Sequence, residues 1–155
     1  MARKPDFDLV AAHRYFAAEC YNRAWDLMDK PGRSAADDEQ MLRLSLASHW
    51  HWTQHPDNTS TTMSIGYWQT ARIYALLGQA DNARHFGQLC LEASLADGVE
   101  PFYRGYAYEA LARAEMVAGN QAKMDEYLAQ ARREAALVSD GDEAKQLQAD
   151  LATIK

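Results

Sequence analysis

A helix-turn-helix unit that recurs at a fixed interval constrains this chain more than any other feature. Tyr67, Ala71, Arg72 and Gly78 are followed 41 residues later by Tyr108, Ala112, Arg113 and Gly119, and Phe86 and Cys90 by Tyr127 and Ala131. The recurring positions are the small and aromatic ones on which helices pack closely, and the glycine on which a turn reverses the chain. A helical hairpin cannot bury its apolar face alone. The interval therefore predicts an all-α stack of hairpins.

Prolines mark where the helices stop and start. Pro5, Pro31, Pro56 and Pro101 each stand where a helical pattern ends or is about to begin. A first helix over about 8–29 places Leu9, His13, Phe16 or Ala17, Cys20, Ala24 and Leu27 or Met28 at three-to-four spacing, and Lys30-Pro31-Gly32 closes it. A second, over about 36–55, opens on Asp37, Asp38 and Glu39, which suit the positive end of the helix dipole. The polar run from Pro56 to Thr62 leads into a third helix over about 61–77. Gly78-Gln79 turns it at once into a fourth, closed by Asp97-Gly98, and so short a link makes the two antiparallel. A fifth helix over about 101–118 and a sixth over about 121–138 flank Gly119-Asn120. The last, about 142–154, sets Ala144, Leu147, Leu151 and Ile154 against a polar back, as the cover of a final layer requires.

At 155 residues the chain reads as one domain, 1–155, able to bury roughly 68–70% of its unfolded surface without a staple. Cys20 and Cys90 lack the spacing of a disulfide framework or zinc site and are expected to be free and buried. Asp8, His13, Arg14 and Glu19 break any apolar run behind the basic first residues, and no stretch is apolar enough to span a membrane. The expectation is a cytoplasmic protein. A net charge of −6, with Lys and Arg scattered, disfavours nucleic acid as a partner. No G-x-S-x-G, P-loop or G-x-G-x-x-G pattern occurs, so neither a catalytic residue nor a cofactor is named.

Around the two turns the chain resembles the tetratricopeptide (TPR) family. Ala71, Tyr74, Gly78-Gln-Ala-Asp-Asn-Ala83 and Cys90 follow its order of small, aromatic, turn-glycine, alanine and small residues. The second copy keeps Tyr108, Leu111, Ala112, Gly119 and Ala131 but departs from the pattern at Glu115 and Met124. The interval of 41 residues exceeds the family's usual length of about 34 and overlaps that of HEAT-type repeats. The resemblance implies a TPR-like α-solenoid of about three antiparallel hairpins, with its clearest repeats at 61–97 and 101–138 and a capping helix at 142–154. Arg14-Tyr-Phe-Ala-Ala-Glu, Trp50-His-Trp-Thr-Gln and Ile65-Gly-Tyr-Trp-Gln are similar to segments of small bacterial TPR-like proteins, which implies a bacterial origin and no activity.

Two constellations are candidates for function. In TPR-like proteins the first helices of successive repeats line a groove. Tyr67, Arg72 and Tyr74 on the third helix and Tyr103, Tyr106 and Arg113 on the fifth are the candidates there for holding a partner's peptide segment. The alternative is a small-molecule or metal site, of a binding protein or of an enzyme, built from His13, Glu19, His51 and His55. His51 and His55 are one helical turn apart, the spacing by which two imidazoles share a metal, although a third ligand must come from elsewhere and no metal is expected. Trp50, Trp52, Trp68 and six methionines exceed what three layers enclose, which predicts self-association as a homodimer.

Overall fold

The structure, a computed structural model, describes residues 6–155, and all of its regular elements there are α-helices, seven in number. They are α1 (Leu9–Met28), α2 (Ala35–Thr53), α3 (Ser60–Leu76), α4 (Ala80–Ser94), α5 (Pro101–Ala118), α6 (Gln121–Ala135) and α7 (Gly141–Leu151). None of them is long and apolar enough to cross a membrane.

Each start has a local cause. The Asp8 carboxylate accepts the Val10 and Ala11 amides at the head of α1. Ser34 and Asp37 close a capping box on α2, and Lys30 together with the Ser34 amide holds the Asp37 carboxyl down, to about 2. Thr59 and Thr62 cap α3, Pro101 opens α5, and Asp140 caps α7.

Four helices stop earlier than their periodicity suggests, α7 among them, at Leu151 instead of near residue 154. α2 ends at Thr53 instead of near residue 55, because Pro56 pushes the preceding residue out of helical geometry. His55 thus lies in the following turn. α4 ends at Ser94, and residues 95–97 spend themselves turning the chain before Gly98, whose φ is 83°. α6 ends at Ala135, which leaves room for the cap of α7.

The two repeat turns are the same structure. Gly78 and Gly119 both have φ 71°, the left-handed conformation that only glycine adopts without strain. Behind each, the next amide reaches five residues back: Gln79 N–H to the Tyr74 carbonyl and Asn120 N–H to the Glu115 carbonyl, both at 2.9 Å. This is a Schellman closure repeated at the sequence interval.

α1 packs on α2, α3 on α4 and α5 on α6; α2 also packs on α3, and α4 on α5. The odd-numbered helices meet one another as well, α3 against α5 and α5 against α7. Ala71, Ala83, Cys90, Ala112 and Ala131 are buried at these crossings. α7 covers the last layer with Leu147 and Leu151, whose burial contributes roughly 1.5–3 kcal/mol each. It comes close because position 105 has no side chain; a β-carbon there would run into Leu147. The first layer differs: Tyr15, Phe16, Leu46 and Trp50 of α1 and α2 are exposed.

Candidate functional site

A cleft lies where α1, α3, α5 and α7 present one face. Its volume is about 210 Å³, and it is lined by Tyr21 and Trp25 of α1, Ser64, Ile65 and Trp68 of α3, Phe102, Tyr103 and Tyr106 of α5, and Gln146 and Asp150 of α7. The rings brace one another. Trp25 and Trp68 have centroids 5.6 Å apart, Trp68 meets Tyr106 edge-on at 5.3 Å, and Tyr106 meets Phe102 edge-on at 5.0 Å. The Tyr106 hydroxyl donates to Asp150 Oδ2 at 2.6 Å, tying α5 to the capping helix. Burial, and then that carboxylate, push the Tyr106 phenol far up, so it stays protonated.

A second cavity of about 230 Å³ adjoins the first and shares Tyr21 and Ile65 with it. Its other lining residues are Ala18, Asn22, Ser48, Trp52, Thr62 and Gly66, none of them charged. Gly66 borders this cavity, and a β-carbon there would press on the His49 ring about 3.1 Å away.

Beneath the aromatic cleft Glu109 is fully buried, at 0% exposure. Arg113 Nε donates to its Oε1 at 2.7 Å, the Arg113 Nη2 group joins the same oxygen, and Trp68 Nε1 donates to Oε2 at 2.9 Å. Arg72 approaches at 3.5 Å. Burial pushes the Glu109 carboxyl up, to about 7, against the opposing pull of Arg72 and the indole N–H. Arg113 also donates to Thr153 at 2.9 Å, so the network links α3, α5 and the C-terminal cover.

Of the candidate groove residues, Tyr103 and Tyr106 lie in this cleft. Arg72 and Arg113 do not offer their guanidinium groups to it, because Glu109 takes both. Tyr74 stacks on Phe86 at 5.5 Å, facing α4, and Tyr67 meets the His49 ring at 4.2 Å and lines a shallower hollow with Asn58, Met63 and Leu89. Trp25, Glu109 and Asp150 escaped the sequence reading. One signal for them existed: Trp68 and Glu109 are repeat equivalents, and the bond between them spans the 41-residue interval.

The polar candidates separate. His13 and His51 meet directly, Nδ1 to Nδ1 at 2.8 Å, with Phe16 and Trp50 packed around the pair. That spacing is a hydrogen bond between the two rings; two nitrogens bound to one tetrahedral metal at about 2.0–2.1 Å would stand about 3.3 Å apart. His55 is not on their face. It is buried against Trp52, and its Nδ1 accepts the Asp57 amide at 3.1 Å. Glu19 is half-buried on α1 and makes no hydrogen bond to either ring. Among the described residues no group of three His, Cys, Asp or Glu could hold a metal ion.

Burial holds the His51 imidazole below its usual 6.5, with His13 adding to the effect, and burial does the same at His49. A histidine so depressed stabilises the fold above its unfolded pKa, and the contribution is lost as pH falls through the folded one. Glu109 acts in the opposite sense over the same range. The change in thermal midpoint from about pH 7 to about pH 5 is therefore expected to be less favourable for the wild type than for a His49→Gln/His51→Gln protein, in which the Glu109 contribution is unchanged. Parallel curves would contradict this.

Comparison with protein-family models, with curated proteins and with solved structures gives no match to this chain.

Proposed function

We propose that the chain is a TPR-like helical-repeat module that binds an extended segment of a partner polypeptide along the face of α1, α3, α5 and α7. What carries this reading is the pair of adjoining cavities that share Tyr21 and Ile65. At about 210 and 230 Å³, each falls below the roughly 300 Å³ at which ordinary small-molecule pockets begin, and each suits one side chain. Two such sites in a row suit consecutive side chains of one strand. The alternative site around His13, Glu19, His51 and His55 has less support, since only two of the four residues touch and their Nδ1 atoms are taken up by each other.

A photo-crosslinking phenylalanine analogue in place of Tyr103, introduced in the native host, tests the reading. The expected product is a polypeptide adduct confined to one contiguous segment of the partner, absent when the analogue replaces exposed Asp81 on α4. Adducts with metabolites alone, or equal yields at both positions, would refute it.

The exposed rings and aliphatic side chains of the first layer, Tyr15, Phe16, Leu46 and Trp50, support self-association through that layer. A two-fold dimer is the expected form. A monomer mass by light scattering across a wide concentration range would contradict it.

A further inference from the structure

The chemistry of the aromatic cleft narrows what that partner segment carries. This step rests on the proposed function. Six of the lining side chains are Trp, Tyr or Phe rings arranged around a single carboxylate, Asp150. One Asp150 oxygen takes the Tyr106 hydroxyl, and among the described residues no basic side chain is paired with either oxygen. The guanidinium groups of α3 and α5 are paired elsewhere: Arg72 and Arg113 with Glu109, and Arg104 with Glu134 at 3.0 Å and the Val99 carbonyl. Glu143 stands two turns before Asp150 on α7, and its field together with that of Glu100 reaches the Tyr103 hydroxyl, adding to the rise that burial causes there. The cleft is therefore aromatic in its walls and negative at its mouth.

Three kinds of occupant can be compared on that ground. An acidic group would meet Asp150, Glu143 and Glu100, like charges with no free cation between them. A purely apolar group would take water from the Asp150 carboxylate and return nothing, which is costly. A long side chain with an apolar stem and a cationic end lays the stem against the rings, gains the attraction of a cation for ring faces, and pairs its charge with the carboxylate. The overall charge of −6 draws such a segment in the same direction.

We infer that the cleft takes an arginine or lysine side chain of the partner polypeptide, held among Trp25, Trp68 and Tyr103 and paired with Asp150. The adjoining uncharged cavity beside Trp52 receives a neighbouring small or apolar side chain of the same strand.

A library of random dodecapeptides panned on the full chain tests this, followed by synthetic versions of the selected peptides. The expected peptides carry an Arg or Lys beside an apolar residue, and their binding depends on Tyr103. Changing that basic residue to Leu weakens binding to the wild type by about tenfold or more. On an Asp150→Asn protein of unchanged helicity and melting, the basic peptide loses that advantage while the Leu version binds as before; Asn still accepts the Tyr106 hydroxyl. Selected peptides that need Tyr103 but lack a basic residue, or a preference that survives Asp150→Asn, would overturn the inference and leave the peptide-binding reading standing. A library that yields no Tyr103-dependent binder would overturn both. Spermidine titrated in parallel separates a peptide from a free polyamine: binding as tight as the peptide's would overturn the assignment to a polypeptide.

Discussion

Glu109→Ala is expected to cost roughly 3–5 kcal/mol of folding stability, the penalty for leaving a buried charge without its partner. Arg113 is 6% exposed, and without Glu109 it keeps only Thr153 and the Asp150 carbonyl as acceptors. The Trp68 indole N–H loses its acceptor too. Urea unfolding with an unchanged dependence on denaturant would give the value directly. A second variant separates ion pairing from lost volume. Glu109→Met with Arg113→Met removes both charges and fills the space, so it is expected to recover most of the loss. A loss under about 1 kcal/mol for Glu109→Ala would mean that water reaches Arg113, contrary to its burial.

Tyr103→Ala is expected to weaken binding of the partner segment by about thirtyfold or more, the effect of removing an aromatic anchor from the centre of an interface. Tyr103 is the suitable position because it lines the cleft yet remains half-exposed, whereas Tyr106 is buried and its loss would also disturb α7. His51→Ala is expected to leave binding unchanged, since the His13–His51 pair lies at the α1–α2 surface beside Phe16 and Trp50 and contributes nothing to either cavity. Isothermal titration with one selected peptide measures both variants. The reverse pattern, with His51 required and Tyr103 dispensable, would move the function to the histidine pair.

What the sequence disclosed and what it hid divide along local and non-local lines. Gly78 and Gly119 mark identical turns because a left-handed residue is a local demand that only a few side chains meet. Pro101 at the head of α5 and Pro56 behind α2 act just as locally. Helix phase was harder. Tyr67 and Tyr74, seven residues apart, share the face of α3 turned toward His49 and α4, while Trp68, rotated by about 100°, faces the cleft. A helix with rings on several faces does not announce which face a neighbour will leave open. Arg72 and Arg113 read as groove donors for a related reason: Glu109 and Arg113 stand at the i,i+4 spacing of a surface ion pair, and only the stacking of α3 and α7 on α5 buries them. Asp150 looked like one more polar residue on the back of a covering helix. Its place at the mouth of the cleft depends on how α7 sits across α5, fixed by Gly105 and Leu147.

The four tryptophans offer a built-in map of the bound state. Trp25 and Trp68 line the aromatic cleft, Trp52 lines the adjoining cavity, and Trp50 is exposed beside the histidine pair, outside both. An ¹H–¹⁵N spectrum of the indole groups, recorded as a selected dodecapeptide is added, reads all four positions at once. The Trp25 and Trp68 signals are expected to move in saturable fashion with Trp52 following, while Trp50 stays fixed. Movement of Trp50 with Trp25 and Trp68 unchanged would contradict a partner segment seated between α1, α3, α5 and α7.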